Sequence, residues 1–254
     1  HRFLFSAGLV YGKRVVDIAC GEGYGSFILA QAAESVLGVD ISESAVTHAQ
    51  GLYQRPNLMY QTGSCLKIPA EDKSVDVVIS FETIEHIHEH EDFLAEIQRV
   101  LRPGGILCMS TPDKNISDEE NEFHVRELTR GEFESLLGSV FPHVGFYGQK
   151  GVFVSMLTSQ GETSAPSKIF HKSRSNRYEE LDGMPTPAYS VAIASLEPLD
   201  AQPSSILMDD TFVPHFSALF GRYQDKLDEA FKEVRKLQKQ KSMLERQLKQ
   251  SLEG

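Results

Sequence analysis

The sequence has only three cysteines, no tryptophan and no long hydrophobic run. Three scattered cysteines cannot build a disulfide framework, and they favour a reducing compartment. No apolar run approaches the 18 residues typical of a membrane-spanning helix, and no signal peptide is visible. We therefore expect a cytoplasmic protein without a membrane span. Because the chain opens on His1 and not on Met, we also expect it to be part of a longer chain.

Positive charge is also scarce outside the C-terminal tail. Residues 1–221 contain 16 Lys and Arg against 30 Asp and Glu. Since phosphate binding depends on Lys and Arg, this acidic body makes a nucleic-acid partner unlikely and disfavours an RNA substrate. The remaining composition, 41% apolar and 24% charged, is that of an ordinary globular protein.

Short apolar runs alternate with helical patterns over the first 140 residues. The predicted strands span residues 15–19, 35–40, 58–61, 75–80 and 106–110, and the helices between them span 27–33, 42–53 and 93–101. A capping box of Thr129 and Glu132 predicts one more helix. This alternation predicts an α/β fold, a doubly wound, mostly parallel Rossmann-like sheet. Two later runs, 144–149 and 189–195, predict an antiparallel hairpin at the edge of the sheet.

Two segments depart from this pattern. Within a predicted domain of residues 1–200, the polar stretch 158–187 reads as a long insertion between the last two strands. After a connecting segment, 201–219, residues 220–254 place apolar side chains at 3,4 spacing over four heptads. This pattern predicts a coiled coil that forms a homo-oligomer or leads to a further domain. The alternative is one amphipathic helix packed on its own domain.

A glycine-rich loop, residues 17–25 (Asp-Ile-Ala-Cys-Gly-Glu-Gly-Tyr-Gly), follows the first predicted strand and opens a helix. Glycine lets the backbone turn sharply and approach a ligand closely, although a structural turn would look the same. The spacing G-x-G-x-G differs from the G-x-G-x-x-G of dinucleotide folds. Asp40 ends the second strand, where an acid can accept both ribose hydroxyls, and Gly63-Ser64-Cys65 follows the third, where an adenine would lie.

With these residues the chain resembles the class I S-adenosylmethionine (SAM)-dependent methyltransferases, well over residues 14–110 and loosely to 195. The resemblance implies an enzyme (EC 2.1.1.-) whose cofactor is SAM. The residues implied in binding SAM are Asp17, Gly21, Gly23, Gly25, Asp40, Ser64, Cys65 and Phe81. Among them, Gly21 and Gly23 would line the methionine end, and Asp40 would bind the ribose. An acid is common in the family where Ser64 stands, and a backbone contact from Cys65 is the alternative there.

A second polar group follows the fourth strand. The spacing of Glu82, Glu85 and His86 places all three on one face of a helical turn, and His124 lies at the same edge of the sheet. Carboxylates with imidazoles suit Mg²⁺ or Mn²⁺. The pattern resembles the E-x-x-E-H plus distal His of metal-dependent O-methyltransferases, which act on the terminal ribose of small RNAs or on catechols. The resemblance implies a metal that lowers the pKa of the hydroxyl attacked.

The same residues have two other interpretations. Glu85 and His86 can shape a metal-free acceptor pocket, in which the histidine acts as base or orienter. They can also belong to a surface helix without a role. The nearby His88 and His90 lie in a polar connection, and we expect both to be solvated.

The runs 80–86 and 122–129, together with the heptad tail, resemble methyltransferases that accompany bacterial surface-polysaccharide glycosyltransferases. That resemblance implies O-methylation of a sugar hydroxyl, for example on a growing glycan. An O- or N-methyltransferase of a small metabolite such as a quinone precursor is the alternative enzyme. A coiled-coil scaffold with an inactive methyltransferase fold is the alternative of another class.

Overall fold

The computed structural model describes residues 1–116, 121–151, 169–172, 178–181, 186–205 and 207 of the 254. The chain divides into two compact units, His1–Pro203 and Ser204–Gly254. In the second unit the described residues are Ser204, Ser205 and Leu207. The predicted coiled coil, 220–254, lies outside the described residues and stays a prediction.

The first unit is built around one large mixed sheet. In chain order the strands of the described residues are β1 (Arg14–Ile18), β2 (Ser35–Asp40), β3 (Leu58–Thr62), β4 (Val75–Phe81), β5 (Leu101–Pro112), β6 (His143–Gln149), β7 (Ile169–Lys172), β8 (Tyr178–Leu181) and β9 (Tyr189–Ser195). Seven of them form the sheet, in the order β3-β2-β1-β4-β5-β9-β6. Neighbours from β3 to β5 pair in parallel, whereas β9 runs antiparallel to both β5 and β6. The predicted mostly parallel sheet with an antiparallel edge is therefore confirmed.

Six α-helices and one 3-10 helix occur in the described residues. They are α1 (Arg2–Phe5), α2 (Ala7–Val10), α3 (Tyr24–Leu29), α4 (Glu43–Leu52), the 3-10 helix Ile84–His86, α5 (His90–Val100) and α6 (Arg130–Gly138). The Ser42 hydroxyl accepts a hydrogen bond from the Ala45 N–H and so caps α4. The predicted capping box of Thr129 and Glu132 begins α6.

Two element boundaries differ from the sequence prediction. Helix α3 begins at Tyr24, not near residue 27, because Gly23 adopts a left-handed conformation (φ 87°) that starts the helix inside the loop. Strand β5 begins at Leu101, not at 106. Between the pairs Val75–Leu101 and Val77–Ile106, β5 has four residues where β4 has one, so the Pro-Gly-Gly segment forms an irregularity within the strand.

The polar stretch 158–187 contains regular structure that its composition did not indicate. Among the described residues of this stretch, β7 and β8 pair antiparallel as a separate two-stranded sheet. A pattern without apolar alternation gives no strand signal, so these two short strands could not be predicted from the sequence.

Apolar layers cover both faces of the large sheet. One face packs against α5 and α6 through buried side chains that include Phe93, Ile97 and Phe133. The other face packs against α2, α3 and α4, where Leu29 and Val46 lie in a second cluster. Within the described ranges no helix is long and apolar enough to cross a membrane. With both faces covered, the carboxyl edge of the parallel strands is the open side on which ligands bind in such folds.

Candidate active site

The glycine-rich loop follows the carboxyl end of β1 and is hydrogen-bonded to the carboxyl end of β2. The Gly21 N–H donates a hydrogen bond of 2.8 Å to Asp40 Oδ2, and the Ser42 N–H donates one of 2.9 Å to Asp40 Oδ1. A Cβ added at Gly21 would meet no atom within 4 Å, so the loop faces open space at this point. The sheet edge therefore offers a carboxylate beside an open, glycine-lined backbone, which fits the ribose and methionine of SAM.

The other two loop glycines are required by packing. A Cβ at Gly23 would lie 2.5 Å from Ala49 Cβ and 2.8 Å from the Tyr60 ring. The Tyr60 hydroxyl also donates a 2.8 Å hydrogen bond to the Gly23 carbonyl. A Cβ at Gly25 would lie 2.1 Å from the Phe3 ring. The contacts to SAM predicted for these two positions thus concern their backbone only and stay predictions.

Ala19 shares the loop's unusual backbone. Its φ of 57° lies in the left-handed region, as do those of Gly21 and Gly23. For a residue with a side chain this conformation costs about 1 kcal/mol or more and marks a constrained loop. The sequence carries no signal for it, because alanine is not a residue that suggests positive φ.

Asp17 lies buried beneath the loop. Its Oδ2 accepts a 2.6 Å hydrogen bond from the Ser26 hydroxyl. Burial raises the pKa of the Asp17 carboxyl to about 7; the Ser26 hydrogen bond lowers it, and the charge of Asp40 raises it. A carboxyl held in this way is ready to ionise when a cation binds nearby.

The predicted adenine-binding turn is attached to the same edge. The Gly63 N–H donates to the Asp40 carbonyl at 2.9 Å, and the Ser64 hydroxyl accepts from the Leu66 N–H at 3.1 Å. Next to Asp40, Ile41 leaves 79% of its surface exposed. Sequence reasoning missed Ile41; its signal was an apolar residue directly after the acid of the second strand. An exposed apolar face here suits a flat heterocycle.

Beyond β4 the backbone turns at Glu82. Its φ of 55° is left-handed, and its N–H donates to the Ser110 carbonyl at 3.1 Å. The Glu82 carboxylate accepts a 2.8 Å hydrogen bond from the Ser110 hydroxyl and pairs with Arg2 at 2.9 Å. Glu82 is thus engaged by β5 and by the N-terminus and lies outside the group of three possible metal ligands in the described residues, so its place in a metal site stays a prediction.

The other three predicted residues come together. One ligand atom each from Glu85, His86 and His124 lies within 4.8 Å of the others, and the two imidazole rings are 4.9 Å apart. The Glu85 carboxyl is fully buried, and its Oε2 accepts a 3.2 Å hydrogen bond from the Thr111 hydroxyl. Its Oε1 is buried without a hydrogen-bond partner among the described residues. Burial, followed by the charge of Glu82, raises the pKa of Glu85 to about 7.

The two histidines are oriented by different partners. His86 Nδ1 donates to the Phe123 carbonyl at 2.9 Å, which leaves Nε2 as the acceptor. His124 Nδ1 lies 2.5 Å from the Glu127 carboxylate, and His124 Nε2 accepts from the Asn121 amide at 3.0 Å. Both nitrogens of His124 are therefore engaged. Glu82 is also paired, with Arg2 and Ser110. The arrangement therefore does not fit the four-ligand Mg²⁺ or Mn²⁺ site that the sequence predicted.

The loop that carries His124 is tied to the 3-10 helix. The Val125 and Arg126 N–H groups donate to the Glu85 carbonyl at 2.9 and 3.1 Å. These bonds hold the loop against the 3-10 helix that follows the carboxyl end of β4. The predicted proximity of residues 82–86 to the loop after the fifth strand is thus what the structure shows.

His90 is buried, although a solvated position was expected for it. Its Nε2 donates to the Ile84 carbonyl at 2.8 Å, and burial lowers the pKa of its imidazole. His88 is exposed, as expected. The polar neighbours of His90 concealed that it begins α5 on the side facing the core.

Sequence reasoning also missed the N-terminal residues. Arg2 reaches Glu82, and the Phe3 ring lies edge-to-face against Phe81 at 5.1 Å. Phe81, predicted to lie against the cofactor, therefore also contacts the N-terminal segment. Four-residue helices have no periodicity to detect, and the signal that remained was the aromatic run Arg-Phe-Leu-Phe.

Comparisons with known proteins agree with this geometry. Residues 16–109 match the family described as Methyltransferase domain. A probable SAM-dependent methyltransferase of Mycolicibacterium smegmatis is 39% identical over 131 residues, which are 50% of each chain. A phthiotriol/phenolphthiotriol dimycocerosates methyltransferase of Mycobacterium leprae is 35% identical over 132 residues, covering 49% of this chain and 48% of that one. The chain spans about half the length of these relatives.

Solved structures share the fold. The YcgJ protein from Bacillus subtilis superposes with a TM-score of 0.55 at 14% identity, covering 78% of this chain and 99% of that one. A SAM-dependent methyltransferase from Thermotoga maritima gives a TM-score of 0.53 at 18% identity, covering 77% and 87%. At these identities the likeness concerns the fold alone. Residues 16–109 thus match a methyltransferase family in sequence, and the chain shares its fold with a solved SAM-dependent methyltransferase.

Proposed function

We propose that this chain transfers the methyl group of SAM to a hydroxyl oxygen of its acceptor, and that Glu85 removes the hydroxyl proton. The observation that carries the proposal is the buried Glu85 Oε1, which has no hydrogen-bond partner among the described residues. A buried carboxylate oxygen without a partner is costly, and an acceptor hydroxyl would satisfy it.

The cofactor would lie along the glycine-rich loop. Asp40 would accept the ribose hydroxyls, Gly21 would let the methionine part approach, and Asp17 would face its ammonium group. Ile41 and the turn at Ser64 and Cys65 would flank the adenine. Bound there, SAM supplies a sulfonium methyl group that an oxygen nucleophile attacks in line.

Glu85 has the properties of a base at neutral pH. Its pKa of about 7 means that a large fraction is ionised near physiological pH and can take up a proton at Oε1. Thr111 fixes the other oxygen, and His86 presents Nε2 to the same region. Glu85 would take up the hydroxyl proton as the acceptor oxygen bonds to the methyl group, which would leave the sulfur of SAM as an uncharged thioether. His86 would orient the acceptor hydroxyl.

The sequence resemblance favours a sugar or surface-glycan hydroxyl as acceptor. A second candidate is an apolar compound that carries a hydroxyl, such as a lipid or a quinone precursor. It is favoured by Phe123, which leaves 68% of its surface exposed while its carbonyl accepts from His86. The phthiotriol/phenolphthiotriol dimycocerosates methyltransferase among the relatives, whose name contains a triol and therefore hydroxyl groups, supports the same candidate. An exposed aromatic ring beside the reactive groups suits an acceptor with an apolar part.

The test is a methyl-transfer screen with isotope-labelled SAM and nucleotide sugars, oligosaccharides, catechols or hydroxylated lipids. With the acceptor that reacts, Glu85→Gln should lower kcat by about 10²–10⁴-fold and leave the SAM Kd unchanged. Glu134→Gln, the same change on an exposed α6 residue, should keep the wild-type rate. Wild-type kcat in Glu85→Gln would exclude Glu85 as the base.

Metal dependence is tested in the same screen. Because Glu82 and both His124 nitrogens are engaged, we expect full activity in EDTA without added Mg²⁺ or Mn²⁺. Activity that disappears with EDTA, returns with either metal and is lost in His124→Ala would restore the metal-assisted mechanism.

The heptad tail would join copies of the chain into an oligomer. Light scattering should give a multimeric mass for the full chain and a monomeric mass for residues 1–203. Equal oligomeric states for both would contradict the coiled-coil proposal.

A further inference from the structure

Arg2 contacts residues at the ends of three strands, next to the turn that carries Glu85. Its Nη1 pairs with Glu82 Oε1 at 2.9 Å, after the carboxyl end of β4. Its Nε donates to Gln149 Oε1, at the end of β6, and its guanidinium lies 4.6 Å from the centre of the Tyr189 ring, at the start of β9. Only 17% of the Arg2 side chain is exposed. A planar guanidinium can make these three contacts at once, which a point charge cannot.

The N-terminal segment is fixed in place by further contacts. The Phe3 ring packs edge-to-face on Phe81 and Tyr24, at 5.1 and 5.4 Å between ring centres. Ser6 is buried, and its hydroxyl donates to the Arg2 carbonyl at 2.9 Å. Arg2 is therefore held against the sheet edge by its neighbours, and its pairing with Glu82 is not that of a loose surface side chain.

The turn that Arg2 holds is strained. Glu82 has a left-handed φ of 55°, a conformation that is unfavourable for a residue with a side chain. Its carboxylate also raises the pKa of Glu85, so the two acids repel each other when both are ionised. Such a turn persists only where surrounding contacts hold it. Arg2 and Ser110 are the side chains that contact the Glu82 carboxylate in the described residues.

We propose that Arg2 is a positioning residue for methyl transfer. By pairing with Glu82, it holds the turn that directs Glu85 toward the acceptor, and by bonding Gln149 and stacking on Tyr189 it closes the acceptor side of the site. The Arg2 guanidinium contacts Glu82, Gln149 and Tyr189 in the described residues, so its effect on Glu85 would pass through Glu82. The inference rests on the proposed role of Glu85 as base.

The first test separates kcat from cofactor affinity. Arg2→Gln should lower kcat about 10–100-fold, since a displacement of about 1 Å at a reacting group has that effect. The SAM Kd should stay within about threefold of wild type. Arg2→Lys keeps the charge that pairs with Glu82 but not the combined contacts to Gln149 and Tyr189, and it should recover part of the lost kcat. The control is Arg14→Gln, the same change at a partly exposed arginine that pairs with the buried Asp76 at the amino end of β1, away from the site, which should leave kcat unchanged.

The second test does not need turnover. Hydrogen exchange of the SAM-free protein should show faster exchange of the Glu82 and His86 N–H groups in Arg2→Gln, but not in Arg14→Gln. Faster exchange without any detectable wild-type methyl transfer would support the positioning role while the proposed function fails. Unchanged exchange at these amides, or wild-type kcat in Arg2→Gln, would overturn the inference.

A double substitution tests whether Arg2 acts through Glu82. If Arg2 acts through Glu82, then Arg2→Gln with Glu82→Gln should lower kcat no further than the more damaging single change. Independent, multiplying losses in kcat would contradict that route.

Discussion

Asp17→Asn tests the connection between the buried loop acid and SAM. In the free protein, burial raises the pKa of the Asp17 carboxyl from 3.8 to about 7. The substitution keeps the shape and an oxygen that can accept from Ser26, but it removes the charge. It should therefore stabilise the SAM-free protein at high pH and weaken SAM binding.

Proton linkage determines how the contribution of Asp17 to stability changes with pH. Because the folded state holds the Asp17 proton more tightly, the unfolded state loses it first as the pH rises. The contribution of wild-type Asp17 to stability is therefore fully present below about pH 4, falls between pH 4 and 7, and levels off above. The difference between 3.8 and about 7 corresponds to about 4 kcal/mol, which is the upper limit of the gain expected for Asp17→Asn at pH 8.

Cofactor binding should show the opposite dependence. If the SAM ammonium pairs with ionised Asp17, wild-type affinity should rise about tenfold per pH unit from pH 5.5 to 7 and then level off. Asp17→Asn should bind SAM more weakly, and this slope should disappear.

The assays are calorimetric titration with SAM from pH 5.5 to 8.5 and thermal unfolding of the SAM-free protein over the same range. Asp72→Asn, at an acid that is mostly exposed, serves as control and should leave the pH slope of SAM binding unchanged. An equal pH slope of SAM affinity in wild type and Asp17→Asn would refute the role of Asp17. A variant that is no more stable than wild type at pH 8 would refute the burial argument.

The remaining predictions concern the support of the cofactor loop. Gly23→Ala should lower the free energy of unfolding by about 2–4 kcal/mol, because its Cβ would lie 2.5 Å from that of Ala49 and its φ is 87°. Gly51→Ala, at a helical glycine with no atom within 4 Å of the added Cβ, should instead raise it by about 0.5–1 kcal/mol. Tyr60→Phe should cost about 1 kcal/mol through the lost hydrogen bond to the Gly23 carbonyl. Thermal and urea unfolding measure all three, and equal stability of the two alanine variants would contradict the packing role of Gly23.

The strands of the large sheet could be predicted because their apolar residues are contiguous. β2 was predicted with its observed bounds, and β4 differs by one residue, since buried parallel strands carry a strong local pattern. Helix starts were harder, because the start of α3 depends on the backbone conformation of Gly23. The short α1 and the pair β7 and β8 have too few residues for a period to appear.

Residues of the candidate site could be predicted where sequence spacing and strand direction bring them together. Asp40 and Gly21 meet because parallel strands end at one edge. Glu82 could not be placed in this way, because its partner Arg2 is 80 positions away and on a segment without a motif. The burial of His90 depends on how α5 packs, which the polar residues around it do not reveal. Tertiary contacts of this kind leave no local trace in a sequence.

SAM binding tests most directly the central claim that this chain is a SAM-dependent methyltransferase. Calorimetric titration of the wild-type chain should give one site per chain with a micromolar Kd, and Asp40→Ala should weaken it at least tenfold by removing the carboxylate proposed for the ribose. Absence of SAM binding by the folded wild-type chain would contradict the account and favour a scaffold with an inactive methyltransferase fold.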